Sequence, residues 1–290
     1  MRKQFVETLK SIMATDQRVV VILGDIGEYS FRDVFHDYPD RIYNVGISEQ
    51  AMVGMASGLA KEGFIPIVHT ISPFLIERAY EQIKIDIGYQ KRKVILVGYG
   101  GSYDYSGCGA THHSPADVAL IYNVPGMDIY IPGHKKELDN ILNYSIGIGE
   151  NPCYIRIGER VNKVFDGLHN TLVEHDRRAV IIAVGEMFDK LDEEILNKFF
   201  VIYINQVIPF PILNFGEISN KHNNQVIILE PYYPILSNEV IKVVDHPVRV
   251  LNIGVPRQFI YEYGKISDID NITGLSVERI KKQIEEFLNE

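Results

Sequence analysis

The chain has 290 residues, a formal net charge of −9 and 46% hydrophobic residues, a composition typical of a soluble globular protein with room for two domains. The acidic balance, without any run of Lys or Arg, disfavours nucleic-acid binding, and no apolar stretch approaches the ~20 residues that cross a bilayer. Cys108 and Cys153 give neither a disulfide framework nor a metal-ligand spacing, so we expect a cytoplasmic protein that does not bind membranes.

Predicted strands follow the chain in two series. The first consists of short apolar runs with room for a helix between each pair, at 18–23, 65–70, 93–98, 127–132 and 153–158. Such β-branched runs predict a parallel sheet that is covered on both faces. We interpret the polar stretch 159–178 as a domain link. A second series and a closing amphipathic helix follow it, at 179–185, 199–205, 225–230, 248–254 and 276–288.

These series predict an α/β protein of two doubly wound domains with mostly parallel sheets, over residues 1–165 and 166–290. Ligands of such sheets bind at the carboxyl ends of the strands. The loops that follow residues 23, 70, 98 and 158 are therefore candidate site loops.

A glycine-rich helix is predicted over 49–62, with Ser48 as its N-cap. Glu49 lies on the first turn, where the helix dipole favours an acid, and a dipole-matched acid is the ordinary interpretation of such a residue. Gly54 and Gly58 lie on one face of the helix and cost roughly 1 kcal/mol each relative to alanine. Because a helix bears this cost where another backbone approaches closely, we expect a second subunit to cross this face.

Longer segments keep their order over residues 1–160, namely "GISEQAMVGMASGLAKEG", "PFLIERAYEQI" and "GCGATHHSPADVALIYNVPGMDIYIPG". In wording and spacing they resemble transketolase, and above all the carboxyl-terminal half of transketolases that are split into two chains. The later segment "VLNIGVPRQFIYEYG" resembles the C-terminal domain of that family. The resemblance implies a pyrimidine domain that binds thiamine diphosphate over 1–165 and a transketolase C-terminal-like domain over 166–290.

For Glu49, the resemblance implies a catalytic role. It occupies the position of the glutamate that contacts a ring nitrogen of the aminopyrimidine of thiamine diphosphate. A carboxyl that shares a proton with this nitrogen favours the imino tautomer, which can take the proton from the reactive thiazolium carbon. We therefore expect Glu49 to be buried at a subunit interface, where burial favours the protonated form of an acid.

The same resemblance implies further contacts with the cofactor. Phe74 occupies the position of a ring that stacks on the pyrimidine, Ile71 stands where many members carry another aromatic residue, and Arg78 is expected near the site with an acid as partner. Asp25 in "LGDIG" is expected on the thiazolium side of the cofactor. A core phenylalanine and a turn aspartate are the simpler interpretations of Phe74 and Asp25.

His112 occupies the position of the active-site histidine that bonds the carbonyl or hydroxyl oxygen of the substrate, in the glycine-rich segment "YSGCGATHHSPAD". The adjacent His113 is expected to point away. A structural histidine pair is the alternative. Metal binding is disfavoured, since no cysteine or acid lies at ligand spacing.

Substrate recognition is expected to differ from that of most transketolases. Arg156 matches a phosphate-binding arginine of the family and Arg2 is a candidate for another, which suits an anionic substrate. However, Cys108 stands where most members carry an aspartate that recognises a sugar hydroxyl, and Gly100 stands where they carry a histidine. Both changes remove groups that recognise phosphorylated ketoses.

The family holds the diphosphate of its cofactor through Mg²⁺, with a Gly-Asp-Gly motif and a later asparagine, and this sequence contains no Gly-Asp-Gly. We therefore expect an N-terminal diphosphate-domain subunit to supply the metal ligands. The expected assembly is a heterotetramer with two copies of each chain, and this chain is expected to self-associate across the Glu49 helix.

The expected activity is transfer of a two-carbon ketol unit between sugars or sugar phosphates. One alternative is another thiamine enzyme: the beta subunit of a 2-oxo acid dehydrogenase, or a deoxyxylulose-phosphate-synthase-like or sugar-modifying enzyme. A second alternative is a regulatory or scaffolding subunit that has lost its site. The sequence leaves the substrates open.

Overall fold

A computed structural model describes residues 1–163 and 178–289. Its strands are β1 Val19–Leu23, β2 Ile42–Asn44, β3 Ile65–Ile71, β4 Ile95–Tyr99, β5 Asp128–Tyr130, β6 Cys153–Ile157, β7 Val180–Val184, β8 Phe200–Ile204, β9 Gln206–Ile208, β10 Gln225–Leu229 and β11 Arg249–Ile253. Its α-helices are α1 Arg2–Thr15, α2 Glu28–Asp37, α3 Glu49–Lys61, α4 Ser72–Ile76, α5 Tyr80–Gln82, α6 Asp117–Tyr122, α7 Lys135–Gly147, α8 Glu193–Lys198, α9 Phe215–Lys221, α10 Leu236–Val243, α11 Ile266–Thr273 and α12 Val277–Asn289. A π-helical turn, Ile83–Tyr89, and a 3₁₀ helix, Gly185–Lys190, complete the set.

The first sheet has seven strands in the order β2-β1-β3-β4-β6-β5-β9, and all neighbours are parallel except β5 and β9. The five predicted strands of the first series are confirmed as β1, β3, β4, β5 and β6. β2 corresponds to a strand-like run before Glu49 that was not included in the series, and β9 was not predicted, because a three-residue strand lacks a pattern of its own.

The second sheet has the order β11-β10-β7-β8, and its neighbours are all parallel. Its four strands and the closing helix α12 lie where the sequence predicted them. The two mostly parallel sheets, with helices between their strands, confirm the predicted α/β fold class.

The two sheets are not separated at a single point in the chain. β9 follows β8 of the second sheet directly, yet it pairs with the edge strand β5 of the first. The predicted boundary between residues 165 and 166, and most of the predicted link 159–178, lie outside the described residues.

Apolar side chains alternate between the two faces of the first sheet. Val21 belongs to a cluster that includes Phe5 of α1, whereas Ile22 belongs to a cluster that includes Met52 of α3. The second cluster continues into the other sheet through Ile182 of β7. This cluster is thus shared by the two sheets, whereas the outer face of each sheet packs in a cluster of its own. Among the described helices, none combines the length and the apolar character that a membrane span needs.

Candidate active site

The parallel strands of the first sheet bring the predicted site loops to one edge. Leu23 is in register with Asn44 of β2 and with His69 of β3, and Ile71 is in register with Tyr99 of β4. Because these strands run in the same direction, their carboxyl ends meet there, as the sequence predicted.

Glu49 is buried at the start of α3, with 1% of its surface exposed. Its Oε2 accepts a hydrogen bond from Nη1 of Arg78 at 2.9 Å, so the predicted acid partner of Arg78 is Glu49 itself. Its Oε1 has no hydrogen-bond partner among the described residues. Ser48 is the N-cap residue, but its side chain makes no capping bond, which corrects the capping role that the sequence predicted.

The glycine face of α3 is open in the single chain. A Cβ atom added to Gly54 or Gly58 would meet nothing within 4 Å, and Met55 beside them is 45% exposed. Packing within this chain therefore does not explain the two glycines.

Phe74 lies between two other site residues. The Arg78 guanidinium is 4.3 Å from the centroid of its ring, and the His112 ring meets it edge-on at 5.1 Å. Ile71, half-buried at the end of β3, directly precedes the short helix α4 that carries Phe74. Glu49, Arg78, Phe74 and His112 thus form one continuous row.

The row extends through two tyrosines. The ring of Tyr105 is 5.9 Å from that of His112 and 6.1 Å from that of Tyr99, and the guanidinium of Arg2 lies 3.8 Å from the Tyr99 centroid. Burial raises the pKa of Tyr99 to about 12 and also raises the pKa of Tyr105, although the charge and hydrogen bond of Arg2 oppose the second shift.

Gly100 makes room for Tyr105. Gly100 has a φ of +80°, and a Cβ atom there would lie 2.3 Å from the Tyr105 ring. Sequence reasoning missed both Tyr105 and Tyr99. The signal was the tyrosine-rich text "GYGGSYDYSG" itself, but nothing in it shows which ring lies next to His112.

Asp25 is exposed in the loop after β1, with a φ of +57° that aspartate tolerates better than most residues. Its backbone N–H donates to Oδ1 of Asn44 at 3.0 Å, and Gly46 N–H donates to the same oxygen at 3.2 Å. Asn44 therefore ties the Asp25 loop to the segment that leads into Glu49. The sequence analysis did not identify Asn44.

The structure does not bring Arg156 into this row. Only 2% of it is exposed, its Nε donates to Asp117 at 2.8 Å, and its Nη2 donates to Ser102 and to the backbone oxygen of Pro231. A guanidinium held in this way has no face open to a substrate. Cys108 is exposed in the same loop as His112.

Metal ligands are not gathered in the described part of the chain. No group of three or more His, Cys, Asp or Glu side chains within residues 1–163 and 178–289 is placed to hold an ion. That a second chain supplies the magnesium ligands stays a prediction.

An open carboxyl edge with a buried, half-satisfied acid is the arrangement of an α/β domain that binds a ligand at its strand ends. Residues 1–162 match the family described as transketolase, pyrimidine binding domain. This match covers more than half of the chain, which therefore belongs to the transketolase family and contains its pyrimidine binding domain.

Known relatives are similar over different shares of their length. The chain is 34% identical, over 98% of its length and 93% of the relative, to an uncharacterized 33.6 kDa protein in the fasciation locus of Rhodococcoides fascians. It is 32% identical, over 64% of its length and 62% of the relative, to a subunit of the apulose-4-phosphate transketolase of Phocaeicola vulgatus. It is also 29% identical, over 97% of its length, to the 1-deoxy-D-xylulose-5-phosphate synthase of Clostridium tetani, of which it covers only 48%.

A solved structure has the same fold over nearly the whole chain. It is described as a split gene transketolase, inactive beta4 tetramer, and superposes with a TM-score of 0.82 at 23% sequence identity. The match covers 99% of this chain and 97% of that one.

The pyrimidine binding domain implies thiamine diphosphate as the cofactor, and the described residues fit its aminopyrimidine. Oε1 of Glu49 is a buried acceptor without a partner among them, and a ring nitrogen that carries or shares a proton would satisfy it. The Phe74 ring offers a flat apolar surface in the same row.

Proposed function

We propose that this chain is the C-terminal subunit of a two-chain, thiamine diphosphate-dependent enzyme that transfers a two-carbon ketol unit between sugars or sugar phosphates. The relative from Phocaeicola vulgatus, which is named as one subunit of a transketolase, supports this proposal.

The observation that carries the proposal is the unpaired Oε1 of Glu49. Leaving a buried acceptor unsatisfied costs ~1–3 kcal/mol, and a protein retains such a group where a ligand completes it. Arg78 already occupies Oε2, so the carboxyl is oriented before any ligand arrives.

When bound, thiamine diphosphate supplies the carbon nucleophile that carries the two-carbon unit. Oε1 of Glu49 would then share a proton with the ring nitrogen, while Arg78 fixes the other oxygen. Phe74 covers the pyrimidine face. Nδ1 of His112 lies 2.9 Å from the hydroxyl of Thr111, so we assign the Nε2 of His112 to the substrate oxygen.

For the substrate and the thiazolium side, we propose roles for the remaining members of the site. Arg2, stacked on Tyr99 beside Tyr105, is the cation that suits an anionic end of a substrate. Cys108 lies in the His112 loop, and Ile71 and Asp25 border the cofactor side. Arg156 is not among the proposed substrate-binding residues, because its guanidinium is hydrogen-bonded inside the protein.

We propose that a second chain with the Gly-Asp-Gly motif holds Mg²⁺ and the diphosphate, in an assembly with two copies of each chain. The open glycine face of α3, next to Glu49, is the surface that a second copy of this chain would cover.

A synthase-like reaction is the second candidate, because the similarity to 1-deoxy-D-xylulose-5-phosphate synthase extends over 97% of the chain. Assays of the assembled enzyme with pyruvate and with ketose phosphates as donors separate the two reactions. Use of pyruvate alone would overturn ketol transfer without affecting the role of Glu49.

The test begins with the neighbouring open reading frame, which we expect to encode the Gly-Asp-Gly chain. In the assembled enzyme, Glu49→Gln should lower turnover by ~10²–10⁴-fold, since it removes the acid that passes the proton. Glu62→Gln, an exposed acid beyond the end of the same helix, is the matched control and should retain turnover. Near-ultraviolet circular dichroism would follow cofactor binding separately. Normal turnover of Glu49→Gln at ordinary cofactor levels would refute the mechanism.

A further inference from the structure

A cavity lies between the loops of the first sheet and two segments of the second half of the chain, one after β10 and one after β11. Its volume is about 170 Å³, which is smaller than the ~300 Å³ at which sites for drug-sized ligands begin. Polar groups line it from both parts of the chain, Glu77 and His113 from one side and Tyr233 and Gln258 from the other. His112 is not among the described residues that line it.

His113 is the buried polar group of this cavity. Only 6% of it is exposed, and its Nε2 has no hydrogen-bond partner in the described part of the chain. Burial, and then the neighbouring His112, lower the pKa of His113, so its ring is neutral at pH 7. A neutral imidazole offers one donor and one acceptor, which suits a hydroxyl group.

Two further groups of the cavity, Glu77 beside His113 and Tyr233 on the opposite side, have raised pKa values. Glu77 is an exposed residue, but partial burial of its carboxyl, and then the charge of Asp117, raise its pKa to about 7. Burial, and then the charge of Glu77, raise the pKa of Tyr233, and both residues line the same cavity. Slightly below pH 7, where Glu77 is mainly protonated and His113 is still neutral, the cavity therefore presents mainly uncharged donors and acceptors.

The remaining wall is apolar and aromatic. Phe259, 73% exposed, stands at the mouth, and no Lys or Arg lines the cavity among the described residues. Arg257 lies near enough to lower the pKa of Tyr233 but does not line the cavity. An anion would therefore meet Glu77 without a cation as direct partner. A neutral molecule with several hydroxyl groups would find partners for them and an aromatic face for its C–H groups.

We propose that this cavity binds a small neutral polyol, with His113, Glu77, Tyr233 and Gln258 as hydrogen-bond partners. Ligand sites commonly lie where two domains meet, and this one joins the loop that carries His112 to the second sheet. Binding there would hold the two together. The proposal is independent of the ketol-transfer reaction, since the cavity is formed by this chain alone.

The test uses the full chain without a partner, with its histidines labelled for NMR, and erythritol as the probe. We expect a saturable shift of the His113 ring signals, identified by their loss in His113→Phe, with a dissociation constant in the millimolar range. Gln258→Leu, at an exposed position, should weaken binding by about three- to tenfold.

The same titration with inorganic phosphate tests the charge preference. Saturable binding of phosphate but not of erythritol would overturn the assignment of a neutral ligand. No saturable shift up to about 100 mM erythritol, or equal binding by wild type and Gln258→Leu, would overturn the site. If His113→Phe fails to fold, the comparison of erythritol binding by wild type and by Gln258→Leu still tests the site.

Discussion

Single residues in the row from Glu49 to Arg2 owe their orientation to their neighbours in space. Arg78 bonds Glu49 and also covers Phe74, and Tyr105 lies between His112 and Tyr99. A change at one member should therefore move the next. Such coupling is expected in a pre-arranged site, but not among residues that merely lie at the same edge of the sheet without contact.

Gly100 tests this coupling, because its backbone conformation and its contact with Tyr105 both exclude a side chain. Gly100→Ala should lower the free energy of unfolding by about 1–3 kcal/mol and raise KM through displacement of the Tyr105 ring. Gly107→Ala, in the same loop with open space around it, is the control and should change neither. Chemical denaturation and steady-state kinetics provide the measurements. Equal stability of the two variants would contradict the predicted clash.

At the scale of elements, α3 combines a buried acid with an open glycine face. Gly54→Leu should leave the stability of the single chain unchanged or raise it by up to about 1 kcal/mol, because leucine favours helix over glycine. It should nevertheless weaken self-association, since the new side chain fills the space that a second copy needs.

Sedimentation over a concentration series would measure that association. Gly147→Leu, at the exposed end of α7, is the matched control and should keep the wild-type mass. If both variants associate like the wild type, the interface does not include α3.

In the second sheet, the carboxyl of Glu230 connects β10 to the start of α10. It accepts hydrogen bonds from the N–H groups of Ile235 and Leu236, at 3.1 Å each for Oε1. Burial raises the pKa of Glu230 to about 7, from an ordinary value of 4.5, although these two bonds oppose the shift. The charged form is therefore disfavoured in the folded state.

This shift gives stability a predictable pH dependence. Between pH 4.5 and 7, the unfolded chain has lost a proton that the folded chain keeps at Glu230, so the free energy of unfolding should fall as pH rises. The fall attributable to Glu230 is at most about 3 kcal/mol. Glu230→Gln retains an acceptor oxygen and should flatten this slope, whereas the exposed Glu217→Gln should not. The free energy of unfolding of the wild type and both variants is measured by denaturation at several pH values. If Glu230→Gln keeps the wild-type slope, Glu230 is not its source.

At the scale of the whole molecule, a shared core and buried polar contacts join the two sheets. Arg156, from β6, reaches the backbone of Pro231 in the second half of the chain. The hydroxyl of Tyr103 donates to Asp270 at 2.6 Å, and Arg160 pairs with the same acid at 3.0 Å. The segments that carry Tyr103 and Arg160 are thus anchored to α11.

Arg156→Met should destabilise the chain by about 3–5 kcal/mol, because it leaves the Asp117 carboxylate buried without its partner. Adding Asp117→Leu should recover most of that loss, since no unpaired charge then remains. Urea denaturation of the single and double variants is the measurement. If Arg156→Met instead raised KM and left the free energy of unfolding unchanged, Arg156 would bind substrate after all.

Much of the candidate site could be predicted from the sequence. What could not be predicted depends on contacts between residues that are distant in the chain. Glu49, Phe74 and His112 could be placed at one edge because parallel strands bring their loops together. Asn44 and Tyr105 could not, since their importance lies in contacts with residues distant in the chain. The residues around Arg156 resemble a phosphate-binding position of the family, but the hydrogen bond to the buried carboxylate of Asp117 determines where its guanidinium points.

The amino-acid order by itself determined the strand series, the parallel sheets and the family, because runs of apolar residues and short sequence motifs are properties of residues that are neighbours in the chain. Only the tertiary structure decided which oxygen of Glu49 is left without a partner, which ring fills the space at Gly100, and that β9 crosses to the other sheet. These features depend on distances between groups far apart along the chain, and such distances are set only when the whole core is packed.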